Sequence, residues 1–464
     1  MINKQLFGDT KKKMSKLFGS SGVRGIVNKF LTPEKACSVG LATASYAQAK
    51  KAIIGRDTRF SGLMLTEALI SGLIACGVDV EVLDIVPTPV VAYLTKKLGA
   101  NLGFMITASH NPPQYNGIKI FDENGISYSD EQQKSIEKRV KNKDYSLANW
   151  QRVGKLTEID ASYLYFKKVK KIVHLKKKWN LILDPGCGAT FKVGPRLLKE
   201  SGCKIVVLNA QPDGNFPARK SEPTEESLED LAQVVKGLNS DIGIAFDGDG
   251  DRAAFIDEKG KFVDFDTLLA AFAGYILQKN SGGTVVTNVE ASMAFDKIAK
   301  KYNGKIIRTK VGDVYLSDAI KKNNAIFGGE PCGAWIHPQF HYCPDGPLSA
   351  VLLLKALEEK KTTLTEFISE VPKFITLREN ILCKNEIKYK TIKIVEEKIK
   401  TIFPNQIDSS TVDGIRVSLE NGWILIRASG TEPLIRLTVE GESLKIASTI
   451  LERGVKLIKE NIEI

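Results

Sequence analysis

The 464-residue chain has no apolar run near the roughly 20 residues that cross a bilayer. Its longest, Leu268–Leu277, holds ten residues and includes Gly274 and Tyr275, so a membrane-spanning helix is excluded. The first residues, MINKQLFGDTKKKMSK, are basic but lack the apolar segment of a secretory signal. A cytoplasmic location is therefore expected, with Met14 a second candidate start. Cysteine is sparse: seven residues, odd in number and never spaced CxxC. Reduced, mostly buried thiols are expected rather than disulfides. The four histidines are too few and dispersed to build a zinc site. No GxSxG elbow of the α/β-hydrolase kind occurs. The net charge of +12 sits in lysine runs such as Lys11–Lys13, Lys167–Lys171 and Lys176–Lys178. These lack the interleaved arginines and aromatics that base readout and stacking favour, so solvated lysines are expected and no nucleic-acid partner.

What remains is a globular composition, 43% hydrophobic and 26% charged, long enough for about three or four domains. Short apolar runs lead into Gly/Asp/Ser-rich loops and then helix-like stretches. AIIG precedes RDTRFSG, LGFMIT precedes ASHNPPQYNG, and IGIAF precedes DGDGDR. This alternation predicts α/β architecture with largely parallel sheets, whose functional loops lie at the carboxyl ends of the strands. Composition shifts divide the chain at 1–155, 156–258, 259–373 and 374–464. The last segment reads as a different, mixed α+β unit.

Several of these loops carry chemistry. Ser109, in Thr107-Ala108-Ser109-His110-Asn111-Pro112, follows a buried-looking strand and is placed as an exposed nucleophile. A hydroxyl needs a base or a metal to act as one, and a capped turn accounts for the same residues. Asp247, Asp249 and Asp251 alternate with glycines ahead of Arg252. Three carboxylates so spaced can fold round one hard cation, and left unneutralised they would repel. An EF-hand places Asp247, Asp249, Asp251 and Glu258 at ligand positions, but Arg252 stands where that loop requires glycine, and IGIAF reads as a strand rather than a helix. A phosphatase with an aspartyl nucleophile in this loop is a further reading. Arg427, Ser429, Gly430 and Thr431, with Arg436 beyond, combine fork-shaped donors, hydroxyls and a glycine into a phosphate cradle. Glu330, in GGEPCG, is a carboxylate able to meet vicinal sugar hydroxyls. Arg24, in FGSSGVRG, and Lys119, in YNGIKI, add cations.

In their order along the chain, FGSSGVRG, TASHNPPQYNGIK, DGDGDR, GGEPCG and RASGTEPLIR resemble the α-D-phosphohexomutases. The resemblance runs from Lys16 to about Lys459. It implies three related mixed α/β domains plus a C-terminal α+β domain around a central cleft, with one loop from each. Ser109 would carry a phosphoryl group, and one Mg²⁺ would be held by Asp247, Asp249, Asp251 and the Ser109 phosphate. His110, Arg252, Glu330 and Cys332 would meet the sugar phosphate. Arg427, Ser429, Gly430, Thr431 and Arg436 would hold the phosphate that is not reacting, on a tail domain able to swing. Arg24 and Lys119 would act near the transferring group, Lys119 moving a proton if neighbouring cations lower its pKa. The implied substrate is a phosphorylated hexose or hexosamine, with a sugar bisphosphate as intermediate or activator. SGTEPLIRLTVEG favours glucosamine 6-phosphate over mannose or glucose phosphates. The sugar loop departs from many relatives: Cys332 replaces their serine, and Ala334 and Trp335 follow Gly333 where they carry histidine. His337 is a possible substitute. A basic binding protein with an inactive mutase fold is the reading of a different class.

Overall fold

The computed structural model describes residues 17–19, 22–429 and 432–462. Four sheets organise them. In the first, of seven strands, Lys51–Arg56 runs parallel to Asp79–Ile85 on one side and Leu102–Ile106 on the other. Tyr115–Phe121 and Gly22–Ile26 extend it antiparallel, and Leu156–Glu158 closes the far edge. The first sheet thus continues to Glu158, past the expected division at 155.

The next two sheets have four strands each. Asn180–Asp184 is flanked by parallel Ile242–Phe246 and Lys204–Val207. Gly283–Asn288 is flanked by parallel Gly304–Thr309 and Phe327–Gly329. Here the structure corrects the expected strand–loop–helix pattern. Each chemically loaded loop of these three sheets returns as an antiparallel strand beside the one it left: Tyr115–Phe121, Ala253–Ile256 and Trp335–Ile336. The return strands are almost wholly buried on both faces. They therefore lack the period-two alternation that marks a half-exposed strand.

The fourth sheet has five antiparallel strands, with Gly422–Ala428 central between Ile415–Leu419 and Leu434–Gly441. Helices Lys388–Ile402 and Leu444–Lys459 cover it with their own apolar cluster, including Val395, Ile399 and Leu457. The first three units instead share a continuous core, from Ile53 and Met105 through Leu183 and Ile244 to Phe272 and Leu353. The seam to the fourth is small. Val289 and Met293 meet Trp423 and Leu425 there, and Glu440 accepts the Trp423 indole N–H at 2.7 Å and Met293 N–H at 2.8 Å.

Asp266 stands at this seam, its Oδ1 accepting Ser292 N–H at 2.8 Å. Burial, with Asp264 and Glu440 nearby, raises its pKa to about 7. A carboxylate raised on folding stabilises below its unfolded pKa and loses that contribution as pH climbs through the folded value. Asp266→Asn, still an acceptor for Ser292, should match the parent near pH 4 and melt a few degrees higher at pH 8. The side chain is half-buried, which holds the gain to about 1–2 kcal/mol. Parallel melts at the two pH values check it.

Candidate active site

Ser109 ends the turn after Leu102–Ile106 in a left-handed conformation, φ 50°, uncommon for a non-glycine residue. Its N–H donates to Thr107 Oγ1 at 2.8 Å, and its buried hydroxyl donates to Asp247 Oδ2 at 2.7 Å. His110 Nδ1 lies 3.3 Å from the same hydroxyl. Burial, with Arg252 and Arg24 beside it, lowers the His110 pKa to about 2, so the ring is neutral. Close approach of the metal-type loop explains one glycine: a Cβ on Gly248 would sit 2.6 Å from Ser109 O. Alternating the aspartates with glycine is thus a packing requirement as well as a ligand pattern.

The fully buried strand Ile242–Phe246 delivers Asp247, Asp249 and Asp251, whose carboxylate oxygens lie within 4.8 Å of one another. Lys119 Nζ bridges two of them, 2.7 Å from Asp249 Oδ2 and 2.6 Å from Asp251 Oδ2. Thr88 Oγ1 also donates to Asp249 Oδ2. Burial together with Asp251 and Asp249 pushes the Asp247 carboxyl well above the usual range. Burial opposes the charge of Asp249 too, yet Lys119 holds that group below it. Asp249 Oδ1 and Asp251 Oδ1 are buried with no hydrogen-bond donor among the described residues, a costly state for carboxylate oxygens. Clustered oxygens with orphaned lone pairs fit a hard divalent cation.

Lys119 requires a correction. Proton transfer by this residue was expected only with a lowered pKa. Burial works against its charge, but Asp249 and Asp251 outweigh that and raise its pKa. In the metal-free site it is held as a cation between two carboxylates.

Arg24, on Gly22–Ile26, donates from Nη1 to Asn111 Oδ1 at 2.9 Å, so it borders the serine loop. Arg252 follows the aspartates, its N–H 3.2 Å from Asp247 Oδ1. The aspartate and sugar-type loops are stitched together by Ala253 N–H donating to Gly333 O at 3.1 Å. Gly333 takes φ 84°, and a Cβ there would meet Ala253 O at 2.3 Å. Glu330 is buried, and its Oε1 accepts from Asn288 Nδ2 and Gly312 N, each at 2.8 Å. Burial raises its pKa and raises the Cys332 thiol to about 12, so Cys332 is a neutral thiol near Arg252. His337 does not join the site. It is buried beside Phe272 and Phe327, with Nε2 2.9 Å from Ser349 Oγ.

On the fourth unit, Arg427 bonds Glu290 across the seam and lies 2.9 Å from Asp413 Oδ2. Ser429 is buried, its Oγ accepting Glu432 N–H at 3.2 Å. Arg436 pairs opposite Arg427 in the sheet and reaches Glu432 at 2.6 Å. Gly430 and Thr431 lie outside the described residues, as do Ser20 and Ser21.

Sequence reasoning missed several supports. Asn288 orients Glu330. Buried Lys388 donates to the carbonyls of Ser429 and Glu432. Arg59 gathers the carbonyls of the serine loop. The available signal for Arg59 was the arginine–aspartate pattern of RDTR immediately after a strand.

A serine hydroxyl against a buried carboxylate cluster able to hold a cation, with a carboxylate and an arginine on loops of two further units, defines a four-unit fold suited to phosphoryl transfer. Family models named phosphoglucomutase/phosphomannomutase match in chain order: alpha/beta/alpha domain I over 15–146, domain II over 163–260, domain III over 264–374 and the C-terminal domain over 379–456. The chain belongs to the phosphoglucomutase/phosphomannomutase family. It is 43% identical over 452 residues to the phosphoglucosamine mutase of Methanococcus vannielii, covering 96% of this chain and 99% of that one. It is 41% identical over 450 residues to a probable phosphoglucosamine mutase of Pyrococcus abyssi, covering 97% and 99%. A solved family structure from Burkholderia thailandensis superposes with a TM-score of 0.87 at 27% identity, covering 96% of this chain and 97% of that one.

Proposed function

We propose that the chain interconverts glucosamine 6-phosphate and glucosamine 1-phosphate through phospho-Ser109 and a sugar bisphosphate. The observation that carries this is the Ser109 hydroxyl, held 2.7 Å from Asp247 Oδ2 within the carboxylate trio. The choice of hexosamine rests on the relatives above.

In the forward half-reaction the P–O bond to Ser109 Oγ breaks, a P–O bond forms to the oxygen of the free sugar hydroxyl, and that hydroxyl's proton ends on Ser109 Oγ. The bisphosphate turns over in the cleft. Ser109 Oγ then takes the other phosphoryl group: the P–O bond to the sugar breaks, and the Ser109 proton, donated to Asp247 Oδ2 in the resting site, ends on the sugar oxygen that leaves. Such transfers pass through a loose transition state, so positioning and charge neutralisation dominate. Arg24, Arg252 and Lys119 supply fixed positive charge. Mg²⁺, held by Asp247, Asp249 and Asp251 with the phosphoserine, would neutralise the equatorial oxygens when bound. Glu330 has one oxygen anchored by Asn288 and Gly312 and the other to meet sugar hydroxyls. Arg427, Ser429, Gly430, Thr431 and Arg436 hold the distal phosphate in either orientation. For Arg427 this means exchanging Glu290 and Asp413 for phosphate oxygens.

Purified, phosphorylated protein assayed against glucosamine, mannose and glucose 6-phosphates tests the choice. Glucosamine 6-phosphate should give the highest kcat/KM, by tenfold or more. Negligible turnover of it, with mannose or glucose 6-phosphate active, assigns a phosphomannomutase or phosphoglucomutase instead. Inactivity on all three leaves the inactive-fold binding protein, which intact Ser109 and three aspartates argue against.

A further inference from the structure

Asp57 and Arg59 form an ion pair of 2.9 Å with no side-chain exposure at either partner. A buried ion pair is a poor route to stability, since well-packed apolar residues often do as well. Where the donors of Arg59 go is more informative. Guanidinium has five N–H donors in a fixed fork, and here all five are engaged. Nε meets Asp57 Oδ2. Nη1 donates to Pro112 O at 2.7 Å and Tyr115 O at 2.9 Å. Nη2 donates to Ser109 O at 2.9 Å and Asn111 O at 2.6 Å. Four of the five therefore end on carbonyls of the serine loop.

Asp57 reaches the same serine from its other side. Its Oδ2 accepts Thr107 Oγ1–H at 2.7 Å, and Thr107 Oγ1 accepts Ser109 N–H at 2.8 Å. The carbonyl and the N–H of Ser109 are thus both tied to one buried pair. Between those two ties lies the left-handed φ of 50° that aims Oγ at Asp247. The second unit closes on the same assembly. The Phe216 ring lies 5.1 Å from the Arg59 guanidinium, and Ser221 Oγ donates to His110 O at 2.7 Å. Neither Asp57 nor Arg59 faces the cleft.

We infer that Asp57 and Arg59, acting through Thr107, are positioning residues that hold Ser109 in its transfer geometry and so set the rate of phosphoryl transfer to and from Oγ without taking part in sugar-phosphate binding. This rests on the reading of Ser109 as the phosphoryl carrier. Transfer is sensitive to sub-ångström placement of the reacting oxygen, whereas the sugar and its distal phosphate are met by other loops.

Thr107→Val removes the relay hydroxyl at nearly constant volume, Thr107→Ser keeps it, and Arg59→Lys keeps the charge but loses the fork. Each is assayed for steady-state kcat and KM, and by intact mass for single-turnover transfer from glucose 1,6-bisphosphate to unphosphorylated Ser109. T107V should lose at least tenfold in kcat and in the single-turnover rate, with KM within threefold. T107S should stay within threefold of the parent, and R59K should lose about a hundredfold. An unchanged single-turnover rate in T107V, a KM that rises as kcat falls, or equal damage in T107S overturns the inference. If T107V does not fold, R59K read by the same criteria decides it. Ser109→Ala in the same assay separates the two levels. Turnover retained by S109A defeats the carrier reading itself, whereas its loss beside an unimpaired T107V defeats only the positioning role.

Discussion

Ser109→Ala should lower mutase turnover at least a thousandfold and leave a folded protein that takes up no phosphate from a sugar bisphosphate. The hydroxyl is held against the carboxylate trio, 2.7 Å from Asp247 Oδ2, and alanine offers no atom to form the P–O bond. The folding cost is small by comparison. Left-handed backbone disfavours serine and alanine alike, by about 1–2 kcal/mol, so the exchange leaves that strain nearly unchanged. Asp247 loses one donor, a desolvation cost of about 1–3 kcal/mol. Turnover, intact mass after incubation with bisphosphate, and the melting temperature give the three readings. Activity near the parent value would remove Ser109 as carrier.

That prediction was within reach of the sequence because the reacting groups are packed into short contiguous loops. Ser109 and the three aspartates announce themselves by residue type and spacing, since a cation site of this kind needs several oxygens from one turn. The division into related α/β units and a different tail was legible for a similar reason: the β-rich pattern of Ile415–Leu419, Gly422–Ala428 and Leu434–Gly441 breaks the earlier alternation. Supports that work through backbone carbonyls were not legible. Arg59 stands 50 positions from Ser109, and the RDTR pattern hints at an arginine–aspartate pair without revealing the carbonyls it gathers. Lys388 sits in KYKTIK among lysines of the same helix, yet it alone is buried under the Ser429 and Glu432 carbonyls. Lys119 was found as a cation, but its pKa direction depends on Asp249 and Asp251, which only folding brings to it.

The charge balance of that trio leads to the second large effect. Two of the three buried carboxylates share the bridging Lys119, and burial beside them pushes Asp247 well above the usual carboxylate range, so ionising the whole trio without a metal is costly. Two of its oxygens have no donor among the described residues. A divalent cation bound there stabilises the folded chain by mass action, about 2.7 kcal/mol at a hundred times its Kd. Chelation should therefore abolish turnover and lower the melting temperature, and Mg²⁺ should restore both. Asp247→Asn separates charge from shape. Its amide oxygen can still accept from Ser109, but one ligand charge is gone, so Mg²⁺ affinity and turnover should fall by two to three orders of magnitude. In chelator the same variant should melt higher than the parent, because burial and two neighbouring carboxylates oppose an ionised Asp247 in the metal-free site and a neutral amide escapes that cost. Paired melts in chelator and in Mg²⁺ read both signs at once. A parent that turns over fully in chelator, or a D247N variant with an undiminished Mg²⁺-dependent rise in melting temperature, would show that the three aspartates do not form the working cation site.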